Sequence, residues 1–174
     1  MSNEVLKAIK ERRSVRSYMS TSVDPRLLDQ VLEAGTWAAS AMNRQPARIV
    51  CVTKEEDRRQ LSRMNAAVMG SDKDPYYGAP CIIIVLVDSA SATGREDGSL
   101  VLGNMMLAAH SLGLGSCWIN REREMFATDE GKALLKKWGI EDDLTGVGAL
   151  ALGYPAVPQA EGKPRKSDFI VKVE

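Results

Sequence analysis

The stretch CIIIVLV, residues 81–87, constrains the fold more than any other part of the chain. Seven apolar residues stand in a row, and five of them are β-branched. A strand with one wet face alternates apolar and polar residues; this one does not, so both of its faces must be covered. It therefore predicts a central strand with structure packed above and below it. At 174 residues the chain is long enough to supply those layers within one domain, residues 1–174.

The covering layers can be read on either side of that strand. Asn3 can cap a first helix with Val5, Leu6 and Ile9 on one face. Asp24 followed by Pro25 is a helix start, and Leu27, Leu28, Val31 and Leu32 follow at helical spacing. Proline at position 46 ends that helix before Asn43. RIVCVT, residues 48–53, reads as a strand, and Thr53 with Glu56 forms a capping box for a helix to about Met64. Residues 69–78 read as a loop. Leu100 to Leu112 is helical and apolar on nearly every side, so it should be buried nearly all round and stop at Gly113. Ser116 to Ile119 and Val147 to Leu152 are further strands, and Lys132 to Trp138 belongs to a helix stopped by Gly139. Alternating helices and strands leave α/β and α+β both open.

Charge narrows the function. Lys+Arg and Asp+Glu number 23 each, so a general polyanion binder, nucleic acid included, is excluded and any anion site must be local. The most apolar stretch, residues 100–114, is interrupted by Asn104, His110 and Ser111 and is too short to span a bilayer. MSNEVLKAIKERR holds no apolar signal-peptide core. Cys51, Cys81 and Cys117 form no CxxC pair and lie in apolar runs, which predicts buried, reduced thiols and a cytoplasmic location. One histidine and no paired cysteines make a zinc site improbable.

Three stretches carry chemistry. KERRSVRSY sets Arg12, Arg13 and Arg16 around Ser14. Three planar guanidinium forks, a hydroxyl and backbone N–H groups on one turn can hold a terminal phosphate, although charge runs are more often solvated surface. Lys163, Arg165 and Lys166 form a second basic group, which completes a dianion site if folding brings it to the first. In TWAASAMNRQPAR, Asn43 and Gln45 follow small residues that let a flat ligand lie near the backbone. LGLGSCWIN lacks the third glycine of a dinucleotide fingerprint and runs helix to strand; it can present backbone groups to a ligand edge. Asp97 and the pair Asp142, Asp143 read as surface or capping residues. With so few reactive side chains, the chemistry should come from a cofactor.

RRSVRSY, ASAMNRQP, YGAPCIIIVLV, GLGSCWIN and LGYP followed by KPRK stand in an order that resembles the nitroreductase family of flavin enzymes. The resemblance covers the chain and implies an α+β fold with a central mixed sheet flanked by helices. It implies a homodimer with non-covalent FMN at the subunit interface. It assigns the phosphate to Arg12, Ser14 and Arg16, with Lys163 or Arg165 helping and Arg13 lining the site. Ser40, Asn43 and Gln45 would approach the ring, Ser40 from the other subunit. Backbone of Trp118, Ile119 and Asn120 would pass the ring's reactive edge, and Asn65 would bond its pyrimidine end. Two departures from the family pattern are Ala39 before Ser40 and Ala47 after the GlnPro pair. The implied activity is NADH- or NADPH-dependent, ping-pong reduction of nitroaromatic, quinone or similar small acceptors. Flavin N5, rather than a catalytic side chain, carries the chemistry, and no metal takes part. A flavin carrier or redox sensor, a dehalogenase-like enzyme on the same scaffold, and a non-flavin anion-binding module are the rival readings.

Overall fold

The computed structural model describes residues 3–174. Met1 and Ser2, the first two residues of the stretch read above for a signal peptide, lie outside them. Four strands form one sheet: β1 (Ala47–Val52), β2 (Cys81–Asp88), β3 (Gly115–Ile119) and β4 (Leu144–Gly153). Their order is β1-β2-β4-β3, and every neighbouring pair is antiparallel. The expected mixed sheet is therefore antiparallel in its strands; the parallel element is an isolated bridge between Ser14 and Ser116.

The run at 81–87 is the central strand, paired on both edges and buried at all seven positions. Its side chains divide by parity, as a pleated strand requires. Ile82, Ile84 and Leu86 enter one core with Leu61, Met64, Phe126, Leu134 and Leu135. Cys81, Ile83, Val85 and Val87 enter the other with Val31, Val101, Leu102 and Met105. Truncating Ile83 or Ile84 to alanine should cost about 2–5 kcal/mol, since neither has any exposed surface over which to relax.

Helices α1 (Glu4–Glu11), α2 (Pro25–Thr36), α3 (Glu55–Met69), α4 (Gly94–Ser111), α5 (Glu122–Ala127) and α6 (Asp129–Lys137) supply the layers. The Asp24 side chain accepts from Arg26 N–H at 2.8 Å, with Pro25 at the first helical position, as the sequence predicts. A short 3-10 turn, Ala41–Asn43, follows α2.

Several boundaries differ from expectation. The Thr53–Glu56 capping box is not formed: α3 starts after Lys54 without a side-chain cap and runs on to Met69. Gly70, in the left-handed region at φ 66°, ends it. Helix α4 begins at Gly94, a turn and a half before the apolar composition starts. It is not buried all round: Leu100 is half exposed, and Gly103, Met106, Leu107 and His110 are partly so. Helix α5 was not foreseen, because its six residues EREMFA are too few to show a period. Of the cysteines, Cys81 and Cys117 are buried as expected, but Cys51 is exposed on edge strand β1, its Sγ 3.7 Å from Cys81 Sγ.

Candidate functional site

The arginine cluster follows α1 directly. Arg12 caps that helix, its N–H donating to Ala8 O. The chain then runs extended along β3: Val15 N–H donates to Ser116 O at 3.0 Å, and the Val15 side chain is buried against Gly115, where a Cβ would lie 2.8 Å from it. Tyr18 fixes the far end, its hydroxyl 2.6 Å from Val15 O and 3.0 Å from Ala151 O. Burial pushes that phenol well above its ordinary range. Arg12, Ser14 and Arg16 gather about Cys117 at this edge: burial raises the thiol, while Arg16, a bond from Ser14 and Arg12 oppose the rise.

The C-terminal segment returns to the same place. Tyr18 bridges Pro155, Met19 N–H donates to Tyr154 O at 2.9 Å, and Ala156 N–H donates to Ser17 O at 3.0 Å. Farther on, Gly162 lies against the Arg13 guanidinium, where a Cβ would overlap it. That contact brings the backbone beside Lys163 to the arginine cluster. Arg13 itself turns toward α1: its Nη1 donates to Lys10 O and Arg12 O, both at 2.7 Å. Two guanidinium nitrogens, Arg12 Nη1 and Arg13 Nε, are buried and have no partner among the described residues. A buried donor left unpaired is costly, so this is where an anion's oxygens fit.

Ser40, Asn43 and Gln45 form a second cluster, on the connection from α2 to β1. Ser40 Oγ accepts from Gln45 N–H and Asn43 Oδ1 from Gln45 Nε2, both at 3.0 Å. Met42, Asn43 and Gln45 all have φ near +50°, a left-handed backbone unusual for residues other than glycine. What pins it is Asp97, which proves buried rather than a surface residue. Its carboxylate accepts from Ala41 N–H at 3.1 Å and from the Thr93 hydroxyl at 3.0 Å. Beside the loop is a cavity of about 340 Å³, lined by Ala38, Ser40, Gln45, Arg48, Asp97 and Val101 among others.

The third group lies at the end of β3. Ile119 is buried, Trp118 half-buried and Asn120 exposed. Asn65 is fully buried, and its side-chain groups are bonded within the protein. Its Nδ2 donates to Asn120 O at 2.9 Å and also lies 3.3 Å from Tyr76 Oη and from Glu122 Oε1; its Oδ1 accepts from Arg121 Nε at 2.8 Å. Tyr76, Arg121 and Glu122 were missed by sequence reading. An acid beginning a helix looks like an exposed end charge, and only the burial of Glu122 distinguishes it.

The first two clusters sit far apart in one chain. Ser40 to Gln45 lead into the start of β1 at one edge, whereas Ser14 bridges the start of β3 at the other. Ala47 pairs with Val87 at one end of β2, and Gly115 pairs with Gly153 beyond the other end, so they mark diagonal corners roughly 25 Å apart. Lys163 and Arg165 are exposed on the tail. Among the described residues no three His, Cys, Asp or Glu side chains are grouped to hold a metal, and no helix is long and apolar enough to cross a membrane.

Known proteins share this fold. A nitroreductase with bound FMN from Bacteroides fragilis NCTC 9343 superposes with a TM-score of 0.91 at 33% identity, over 99% of this chain and 100% of that one. A second nitroreductase with bound FMN, from Desulfitobacterium hafniense DCB-2, gives 0.89 at 27% identity over the whole of both chains. A Methanothermobacter thermautotrophicus protein provisionally named NADH dehydrogenase/NAD(P)H nitroreductase is 31% identical over 88% of this chain and 78% of its own length. The family model described as "Nitroreductase family" matches residues 9–76 and 67–154, and the chain belongs to that family.

Proposed function

We propose that this chain is an FMN-dependent NAD(P)H oxidoreductase working as a homodimer, with residues 1–174 forming one FMN-binding domain. The observation that carries the reading is the pair of buried guanidinium nitrogens without partners, Arg12 Nη1 and Arg13 Nε, beside Ser14 and Arg16. Arg12, Ser14 and Arg16 would hold the phosphate, with Arg13 lining the site and Lys163 or Arg165 closing from the tail. Ser40, Asn43 and Gln45 would meet the ring, and the backbone of Trp118, Ile119 and Asn120 would border its reactive edge. Asn65 would act on this site through Asn120 O and Arg121 rather than by its own amide. When bound, FMN supplies hydride acceptance from NADH or NADPH and delivery to a nitroaromatic, quinone or similar acceptor, the two substrates using one cleft in turn.

Two features support the dimer. The clusters at opposite corners of the sheet cannot enclose one ring within a single chain, whereas a two-fold axis can set the corner of one copy against the other corner of its partner. In addition, α1 buries no residue: Val5, Leu6 and Ile9 are all more than half exposed. An eight-residue helix without tertiary burial is marginal in water. A second copy covering α1 and the outer side of α4 removes both difficulties.

The test is the visible spectrum of the purified protein, before and after anaerobic NAD(P)H, with its mass in solution. The expected protein is a yellow dimer that bleaches and recovers colour on adding a quinone or nitroaromatic. Bleaching without such recovery points to a specialised acceptor, and a yellow protein that does not bleach points to a carrier or sensor. A colourless monomer that takes up no added FMN overturns the proposal.

A further inference from the structure

Glu122 is the second residue after the stretch set against the ring, and it is fully buried. Its Oε1 accepts from the Tyr76 hydroxyl at 2.9 Å and lies 3.3 Å from Asn65 Nδ2. Its Oε2 is buried with no partner among the described residues. The backbone of Glu122 is clamped too: a Cβ on Gly146 of β4 would overlap its carbonyl, so strand and turn touch main chain to main chain. Tyr76 and Asn65 are themselves buried, so the three polar side chains form a closed cluster beneath the turn.

That cluster controls the turn through Asn65. An amide cannot rotate freely when one end must donate and the other must accept. Here Nδ2 donates to Asn120 O, and Oδ1 accepts from Arg121 Nε. Glu122 Oε1 favours the same orientation by offering Nδ2 another acceptor. The constraint is needed because Arg121 has φ 86°, a conformation that costs a residue with a side chain and persists only when its surroundings hold it. Arg121 Nε is spent on Asn65.

We propose that Glu122, acting with Tyr76 through Asn65, is a positioning residue that sets the backbone of Asn120 and the strained Arg121. The proposal rests on the functional reading above for what that backbone faces. It also fixes the working state of the acid. Full burial with one oxygen lacking a donor favours the uncharged carboxyl, because the ionised form would be only partly compensated by the bonds to Oε1. Burial pushes the Glu122 pKa up to about 8, against smaller opposing contributions from Tyr76, its own backbone N–H, Arg121 and Asn65. The groups around it are Tyr76 from the α3–β2 connection, Asn65 from α3, Arg121 on the turn, Met125 from α5 and uncharged backbone at Gly146. Asp74 acts on Tyr76 from farther off. Arg121 is the cation among them. Ionised Glu122 would compete with Asn65 for Arg121 and loosen the turn.

The experiment measures FMN affinity by fluorescence quenching, and the anaerobic rate of flavin reduction by NAD(P)H, as functions of pH. It uses the full-length protein and its Glu122→Gln, Glu122→Ala and Tyr76→Phe variants. The original protein should lose about tenfold in reduction rate by about pH 9, as a group of pKa about 8 ionises. Glu122→Gln keeps an oxygen for Tyr76 and Asn65 and cannot ionise, so its rate should stay level across that range. Glu122→Ala should bind FMN several-fold more weakly and reduce it about tenfold more slowly at every pH. Tyr76→Phe, which removes only the hydroxyl, should move the alkaline fall to a different pH. An alkaline fall unchanged in Glu122→Gln, or unaltered affinity and rate in Glu122→Ala, overturns the positioning role while leaving flavin binding intact. A protein that never takes up FMN overturns the functional reading and this proposal together.

Discussion

Gly162 lies so close to the Arg13 guanidinium that no side chain fits between them, which ties the C-terminal segment to the turn after α1. The contact is with the far end of a flexible side chain, so a methyl group there displaces the arginine rather than the fold. Gly162→Ala should therefore leave stability within about 0.5 kcal/mol, as expected for an exposed position. It should weaken FMN binding about five- to tenfold, by moving Arg13 and the backbone that carries Lys163 away from Arg12. Fluorescence titration of flavin-free protein measures this, and an unchanged affinity in both Gly162→Ala and Gly162→Val would separate the tail from the site.

Asp97 supports a different cluster. It is the buried group that holds the left-handed loop at 41–45, through Ala41 N–H, and it also bonds Thr93 at the start of α4. Asp97→Ala removes the acceptor, leaving the half-buried Ala41 N–H without its partner, while the hydroxyl of exposed Thr93 can turn to water. The expected loss is about 2 kcal/mol, a drop of about 4–8 °C in thermal midpoint for a chain of this size. Asp97→Asn retains one acceptor oxygen and should recover about half of that drop. Thermal unfolding followed by circular dichroism compares the three proteins, and equal midpoints would refute the support assigned to Asp97.

How much of this was legible in the sequence depends on the distance over which each signal acts. The central strand was legible because seven apolar residues leave no wet face, and α2 because Asp24 and Pro25 mark its start locally. The arginine turn and the basic tail were legible as two fragments, but their meeting at Gly162 is a tertiary fact that neither fragment carries. Glu122 was missed and Asp97 misread for a shared reason. A polar residue shows its type in the sequence, whereas its burial is decided by elements remote in the chain: α3 for Glu122, the 41–45 loop for Asp97. The helix at 100–112 is a further case: its apolar composition signals burial on nearly every side, and the part of that surface the single chain leaves open is what a second copy would cover.

Asp57 and Lys137 make the acid side of the stability profile testable. Their side chains meet at 2.6 Å between α3 and α6. The bond from Lys137 is the main cause holding the Asp57 carboxyl below its ordinary range, with burial working against it. A lowered carboxyl pKa contributes stability that is fully present above the unfolded value and is lost as pH falls through the folded one. Asp57→Asn should accordingly melt below the original protein at neutral pH. The difference should shrink as the buffer is taken below about pH 4, where the aspartate of the original protein also protonates. A difference that stays constant across that range would mean that the charge of Asp57 contributes nothing.

Glu122 acts in the opposite direction. Its folded pKa of about 8 lies above the ordinary carboxyl value of 4.5, so between those limits the native chain keeps a proton that the unfolded chain releases. Stability must then fall as pH rises through that window and level off above it. Glutamine does not titrate, so Glu122→Gln is free of this loss. Its amide places N–H donors where Oε2 has no partner, a penalty that is the same at every pH. The variant's stability relative to the original should therefore climb steadily from about pH 4.5 to about pH 8, by up to about 5 kcal/mol. Urea unfolding of flavin-free protein at several pH values reads that slope without any contribution from turnover. A difference that does not change with pH would mean that Glu122 is already ionised in the folded chain, with Oε2 charged and unpaired beneath the Arg121 turn.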